Sequence, residues 1–159
     1  MSTNITVSEI FKAAALTPRG PVRWGEQVSE RQPGVYVIAL VQQPDANCGS
    51  IDVAYLHDSA RVRWVPAQSV IYIGRTRRPL SRRIGEFYRH TYGNPRPHRG
   101  GQDVLLLNCP QWVYWSPTEN PVLAEYQMIR CFWERVGRFP FANRIRAARA
   151  ETIEHRACE

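Results

Sequence analysis

The sequence predicts a small mixed α/β (α+β) fold, a three-stranded and largely antiparallel sheet flanked by helices. Three observations lead there. The length of 159 residues suits one compact domain. Three short runs rich in β-branched and aromatic residues, Val35 to Val41, Ser69 to Gly74 and Trp112 to Trp115, are bounded by turn-forming residues. Around them lie longer segments whose apolar residues recur at helical spacing.

Residues 6–16 read as the first helix. Thr6 and Glu9 have capping-box spacing, Ile10, Phe11, Ala14 and Leu16 supply an apolar side, and Pro18 and Gly20 end it. The turn Gln32-Pro33-Gly34 opens the run Val35 to Val41, which is apolar on both alternating faces and suits a central strand. Residues 42–60, with Pro44, Asn47 and Gly49, form a long connection carrying a short strand around Ile51 to Leu56. After the second strand, a helix starts near Pro79 and runs to about Thr91, until Gly93, Asn94, Pro95 and Pro97 break the chain. Gln102 to Asn108 fits either a short helix or a strand. The third strand stops at Pro117. Pro121 then opens a helix to Val136, closed by Gly137 and Pro140. The Ala-, Arg- and Glu-rich tail from Arg144 reads as helical.

Composition narrows the partners. A hydrophobic share of 43% supports a core, and 22% charged residues without long blocks argue against wholesale disorder. The net charge of +7 and pI near 9.7 permit a polyanionic partner, although a solvated basic surface has the same composition. Arginine dominates, clustered at 75–89, 96–99 and 130–156. Cys48, Cys109, Cys131 and Cys158 form no CxxC pair, and the histidines show no HExxH spacing, so zinc chemistry is not expected. No run approaches the roughly 18 apolar residues of a membrane span, and the N-terminus lacks a secretory layout. The expectation is a cytoplasmic protein with free thiols.

Two charged residues stand where a purely structural helix would avoid them. Arg83 flanks the stripe Leu80, Ile84, Phe87 and Thr91, while Arg78, Arg82 and Arg89 fall on the outer face. It either snorkels or serves a site. Glu125 borders the stripe Val122, Tyr126, Ile129, Trp133 and Val136, joined by Phe132. A half-buried carboxylate needs compensation, from an arginine such as Arg83 or from a divalent metal. Tyr36 and Tyr72 lie in the middles of apolar strands, where ordinary packing is the default. Asn143 fits a turn or an amide cap.

Taken together these residues resemble the GIY-YIG nuclease superfamily. Gly34-Val35-Tyr36 stands where the first motif belongs and Tyr72-Ile73-Gly74 where the second does. Leu80-Ser81-Arg82-Arg83-Ile84 is similar to the family's arginine helix and selects Arg83 over Arg82. Glu125-Tyr126-Gln127-Met128-Ile129 resembles the glutamate helix, and Phe139-Pro140-Phe141-Ala142-Asn143 the closing Pro-x-x-Asn. Five elements stand in order. They divide the chain into residues 1–32, a nuclease-like domain over 33–145 with an insertion at 42–68 similar to the longer linkers of restriction-type members, and a charged tail over 146–159. One departure is Phe87, where many relatives carry His or Tyr; Tyr88, His90 and His98 are the candidates for that auxiliary role.

The resemblance implies phosphodiester hydrolysis in DNA. Tyr36 would orient or deprotonate the attacking water, with Tyr72 hydrogen-bonding alongside. A free tyrosine, with pKa about 10, is a poor base at neutral pH unless a cation stabilises the phenolate. Arg83 would do that or clamp the phosphate. Glu125 would hold Mg²⁺ or Mn²⁺, and Asn143 would hold that glutamate or the local backbone. Arg75, Arg77, Arg78, Arg96 and Arg99 are the candidates for contacts to flanking phosphates. Target choice would come from the insertion, the tail, or a homodimer placing two sites across a duplex.

Overall fold

The computed structural model describes residues 4–94 and 101–144. The sheet is antiparallel throughout and has four strands, β1 (Arg19–Arg23), β2 (Gly34–Ala39), β3 (Val70–Thr76) and β4 (Trp112–Pro117), in the order β1-β4-β2-β3. Helices α1 (Val7–Lys12), α2 (Asp58–Arg63), α3 (Leu80–Tyr88) and α4 (Pro121–Val136) surround it.

The mixed class is as the sequence predicts, with one strand more. β1 pairs only with β4, and its registry is irregular between Arg19 and Val22. Its residues are exposed or half-buried, so it has no apolar alternation to read. Gly20, read with Pro18 as a helix stop, lies within β1, and a short sheet edge tolerates it and the following Pro21. All six residues of β2 are buried, as expected of a strand flanked on both sides.

The faces of β2 divide the core. Val35, Val37 and Ala39 join Ile73 and Tyr114 beneath α1 and α4, with Ile10, Phe11, Met128, Ile129 and Phe132. Tyr36 and Ile38 point the other way, with Ile71, Tyr72 and Val113, against Leu80, Ile84 and Phe87 of α3. β2 thus sends its tyrosine to one helix layer and its valines to the other, following the two-residue period of a strand.

Several boundaries move. α1 ends at Lys12 rather than residue 16, with Ala15 left-handed at φ 56°; the expected Thr6 cap is present, its hydroxyl accepting from Glu9 N. The expected strand around Ile51 to Leu56 is absent. A turn closes from Leu56 N to Val53 O, and α2 follows. This helix is six residues long and capped by His57, whose Nδ1 accepts from Ala60 N, a cap outside the preferred Ser, Thr, Asp and Asn. α3 stops at Tyr88, so Thr91 is an exposed residue beyond it. Gln102–Leu106 is a short 3-10 helix. α4 has the expected bounds, closing on Gly137 at φ 80°, but its buried stripe is rotated to Pro121, Ala124, Met128, Ile129 and Phe132. Val122 is exposed, because Pro121 takes the first inward position.

Cys48, Cys109 and Cys131 are free thiols, each pushed up in pKa by partial burial. Cys158 and the tail lie outside the described residues. No helix among the described residues is long and apolar enough to cross a membrane.

Candidate active site

The two tyrosines meet because β2 and β3 pair in a register that sets Tyr36 opposite Gly74 and puts Tyr72 on the same face. Their ring centroids are 5.9 Å apart. Gly74 makes this possible: a Cβ there would lie 2.5 Å from Tyr36 Cζ, 2.7 Å from its hydroxyl and 2.8 Å from Tyr72 Cε1. Gly34 is equally constrained, since a Cβ would lie 2.2 Å from Ser116 O and 3.0 Å from Leu80 Cδ1. The glycines of both tripeptides therefore have steric reasons to be glycine. Gly74→Ala is expected to cost about 1–3 kcal/mol, as overpacking does, read from urea unfolding. Gly49→Ala, where an added Cβ meets nothing within 4 Å, is the neutral control. Equal stability of both variants would refute the packing account.

α3 brings Arg83 to the tyrosines. Arg83 and Tyr72 both hydrogen-bond Tyr36. The neighbouring Arg82 is exposed and turns outward to Glu86, so the inward arginine is the one the helix stripe indicates. The Nε of Arg83 is buried, so its stem and the start of its head lie inside the protein. Burial lifts the Tyr36 phenol above its ordinary value, and the Arg83 cation and the Tyr72 hydrogen bond pull it back. Tyr72 is lifted well above its ordinary value by burial, then by Tyr36 and Glu125. The cation and the hydrogen bond thus favour ionisation of Tyr36 over that of Tyr72.

Glu125 approaches from α4. Its side chain is 13% exposed, and Oε1 accepts from Arg75 Nε at 3.2 Å. Arg75 of β3 is therefore one cation beside this carboxylate. The carboxylate is still close enough to both phenols to raise them. Asn143 closes the set from beyond α4. Its Oδ1 accepts from Ile73 N and its Nδ2 donates to Ile73 O, both at 2.9 Å. Ala142 N adds a bond to Ile71 O, also at 2.9 Å. β3 is the sheet's edge, so this segment satisfies backbone groups that would otherwise lack partners. Asn143 holds the backbone of the residue between Tyr72 and Gly74, the second of the two alternatives.

No protein-family model, curated protein or solved structure matches this chain.

The remaining candidates fare unevenly. Phe87 stacks on Tyr72 at 5.7 Å and meets Tyr36 edge-on at 6.4 Å, so an apolar ring fills the auxiliary position. Tyr88 turns away: its hydroxyl donates to Glu26 O at 2.8 Å, it packs on Trp24, and burial pushes its pKa up to about 12. His90 is buried just past α3. Arg78 makes a two-pronged contact with Glu86, at 2.9 and 2.6 Å, which commits its fork to the protein surface. Arg77 is exposed. Arg96, His98 and Arg99 lie outside the described residues. Among the described residues no cluster of three or more His, Cys, Asp and Glu is assembled.

Two features escaped the sequence reading. Gly101, at φ 78°, lies against the faces of Tyr72 and Phe87, where a Cβ would be 2.8 and 2.9 Å away. Asp103, fully buried, is held by Arg63 of α2 and by Arg144. The signal available was an acidic residue at the head of an apolar run, Val104 to Leu107.

Proposed function

We propose that this chain is a metal-dependent DNA endonuclease of the GIY-YIG type its motifs resemble, acting in the cytoplasm. The observation that carries the reading is the meeting of Arg83 and Tyr72 on the Tyr36 hydroxyl, with Glu125 near both phenols. Ordinary core packing has no need of an arginine whose Nε is buried and whose cation bonds a buried tyrosine, because desolvating a cation is costly.

Phosphodiester hydrolysis needs a water oxygen to form a bond to phosphorus while one ester P–O bond breaks. Tyr36, as phenolate, takes the proton from that water. Tyr72 donates a hydrogen bond to the phenolate, and Arg83 stabilises it or meets charge developing on the phosphate. Asn143 keeps the Tyr72–Gly74 backbone at its spacing from β2. A carboxylate oxygen suits a hard cation, and the Glu125 side chain is 13% exposed and accepts from Arg75 through Oε1. Mg²⁺ or Mn²⁺ held there would supply neutralisation of the phosphate oxygens, with water and substrate completing its shell.

The ion pair with Arg75 gives specific support to a second reading, a nucleic-acid-binding protein in which Glu125 is only structural. Plasmid cleavage with Mg²⁺ or Mn²⁺ separates the two. The parent protein is expected to nick or linearise supercoiled DNA. Glu125→Ala is expected to lose at least about 10²-fold, the scale of one electrostatic contribution to such a site. Arg75→Gln, which breaks the same pair but keeps the carboxylate, is expected to lose far less. Full activity in Glu125→Ala removes Glu125 as the metal ligand. Salt-sensitive DNA binding by an uncut parent favours the second reading.

A further inference from the structure

The C-terminal end of α4, the loop after it and α2 enclose a cavity of ≈ 490 Å³ at the surface. That volume lies within the usual range of small-ligand pockets, about 300–1,000 Å³. Arg63, Arg138 and Arg144 line it together with Trp133, Phe139 and Asn143. None of these arginines belongs to the tyrosine site.

Three guanidinium groups gather here, and two of them share one carboxylate. Asp103 takes two bonds from Arg63, at 3.2 and 2.9 Å, and two from Arg144, at 3.0 and 2.6 Å. Arg138 donates instead to Trp64 O and Val62 O, at the end of α2. Each guanidinium carries five N–H donors. Arg63 makes one further bond, to Ser59 O, and Arg144 one, to Tyr92 hydroxyl, so all three keep donors unused among the described residues. Their forks are nonetheless fixed by these bonds, which lowers the entropy lost on meeting an oxyanion. Capping α2 needs one arginine; three converging on a cavity need another explanation.

The walls indicate what accompanies the anion. Trp133 and Phe139 are half-buried, offering aromatic surface without being lost to the core. Aromatic faces beside backbone-binding cations are how proteins hold unpaired nucleotides. Asn143 joins the cavity to the tyrosine site, since the residue lining it also bonds Ile73 between Tyr72 and Gly74.

We propose that this cavity is a subsite for one unpaired nucleotide of the DNA substrate, its phosphate on Arg63, Arg138 and Arg144 and its base against Trp133 and Phe139. The assignment rests on the nuclease reading and extends it to a substrate class, DNA carrying a single-stranded segment.

The test uses the full chain with Ca²⁺ in place of Mg²⁺. Anisotropy measures its binding to a fluorescein-labelled blunt duplex and to the same duplex with a short single-stranded extension. The parent is expected to prefer the extended duplex by about fivefold or more, as one stacked base would give. Arg138→Ala and Trp133→Leu are expected to abolish that preference while blunt-duplex affinity changes less than about threefold. Arg138→Lys, keeping the charge, is expected to retain part of it. Thermal melts verify that each variant is folded. Equal affinity of the parent for both duplexes overturns the proposal and leaves the nuclease reading intact. So does a preference that survives in folded Arg138→Ala and Trp133→Leu. Saturable binding of thymidine monophosphate, seen in tryptophan fluorescence without any preference for the extension, overturns it in favour of a free nucleotide. A parent that binds neither duplex overturns both readings.

Discussion

Tyr36→Phe is expected to lower the rate of DNA cleavage by about 10²–10⁴-fold, the usual contribution of a positioned acid or base. The substitution removes one oxygen and little else. The ring keeps its edge contact with Phe87 and its seat against Gly74, so the fold should survive with only a modest loss of stability. Tyr72→Phe should cost less, because Tyr72 acts through Tyr36 and its removal leaves the base in place. The pH profile separates base from bystander. Tyr36 sits above its ordinary value because burial outweighs the help of Arg83 and Tyr72. The phenolate is therefore a minor species at neutral pH, and its share grows as pH rises. In the parent the rate should climb about tenfold per pH unit through the mildly alkaline range. In Tyr36→Phe that slope should vanish, whereas Tyr72→Phe should keep it. A Tyr36→Phe enzyme with the parental slope would show that some other group activates the water.

What the sequence reveals about this site depends on how far apart the interacting residues lie in the chain. Arg83 and Glu125 are legible because each borders an apolar helical stripe, and a stripe is a local pattern. Glu125 is legible even though the stripe assigned to α4 is misplaced by the exposed Val122, since Pro121 and Met128 flank it equally well. Its partner is not legible. Arg75 lies 50 residues away on a strand, and no periodicity links them. Asp103 repeats the lesson, with partners 40 and 41 residues away, one in α2 and one past α4. The fold follows the same rule. β2, β3 and α4 carry complete patterns of their own, whereas β1 is a strand only because β4 lies beside it. α2 is too short for periodicity and is fastened from outside by Arg138 and by Asp103.

Removing that fastening should cost as much stability as truncating a large core side chain. Asp103 has no solvent exposure, while its partners Arg63 and Arg144 are 32% and 46% exposed in their side chains. Deleting one partner of a buried ion pair costs about 3–5 kcal/mol, chiefly because charge is left without compensation. Here the orphaned charges are cations that can turn toward water, so Asp103→Ala is expected near the lower end, about 3 kcal/mol. In a domain of this size that corresponds to a fall in Tm of about 6–12 °C. Asp103→Asn keeps the shape and one acceptor oxygen and should fall between the variant and the parent. Salt gives the distinguishing signature. With the carboxylate gone, Arg63, Arg138 and Arg144 crowd one another uncompensated, and added salt screens that repulsion. Asp103→Ala should therefore regain stability as salt rises, an effect that a cavity alone would not produce. If its Tm deficit is independent of salt, Asp103 acts by packing, and the balance of charge that holds α2 against the sheet lies elsewhere.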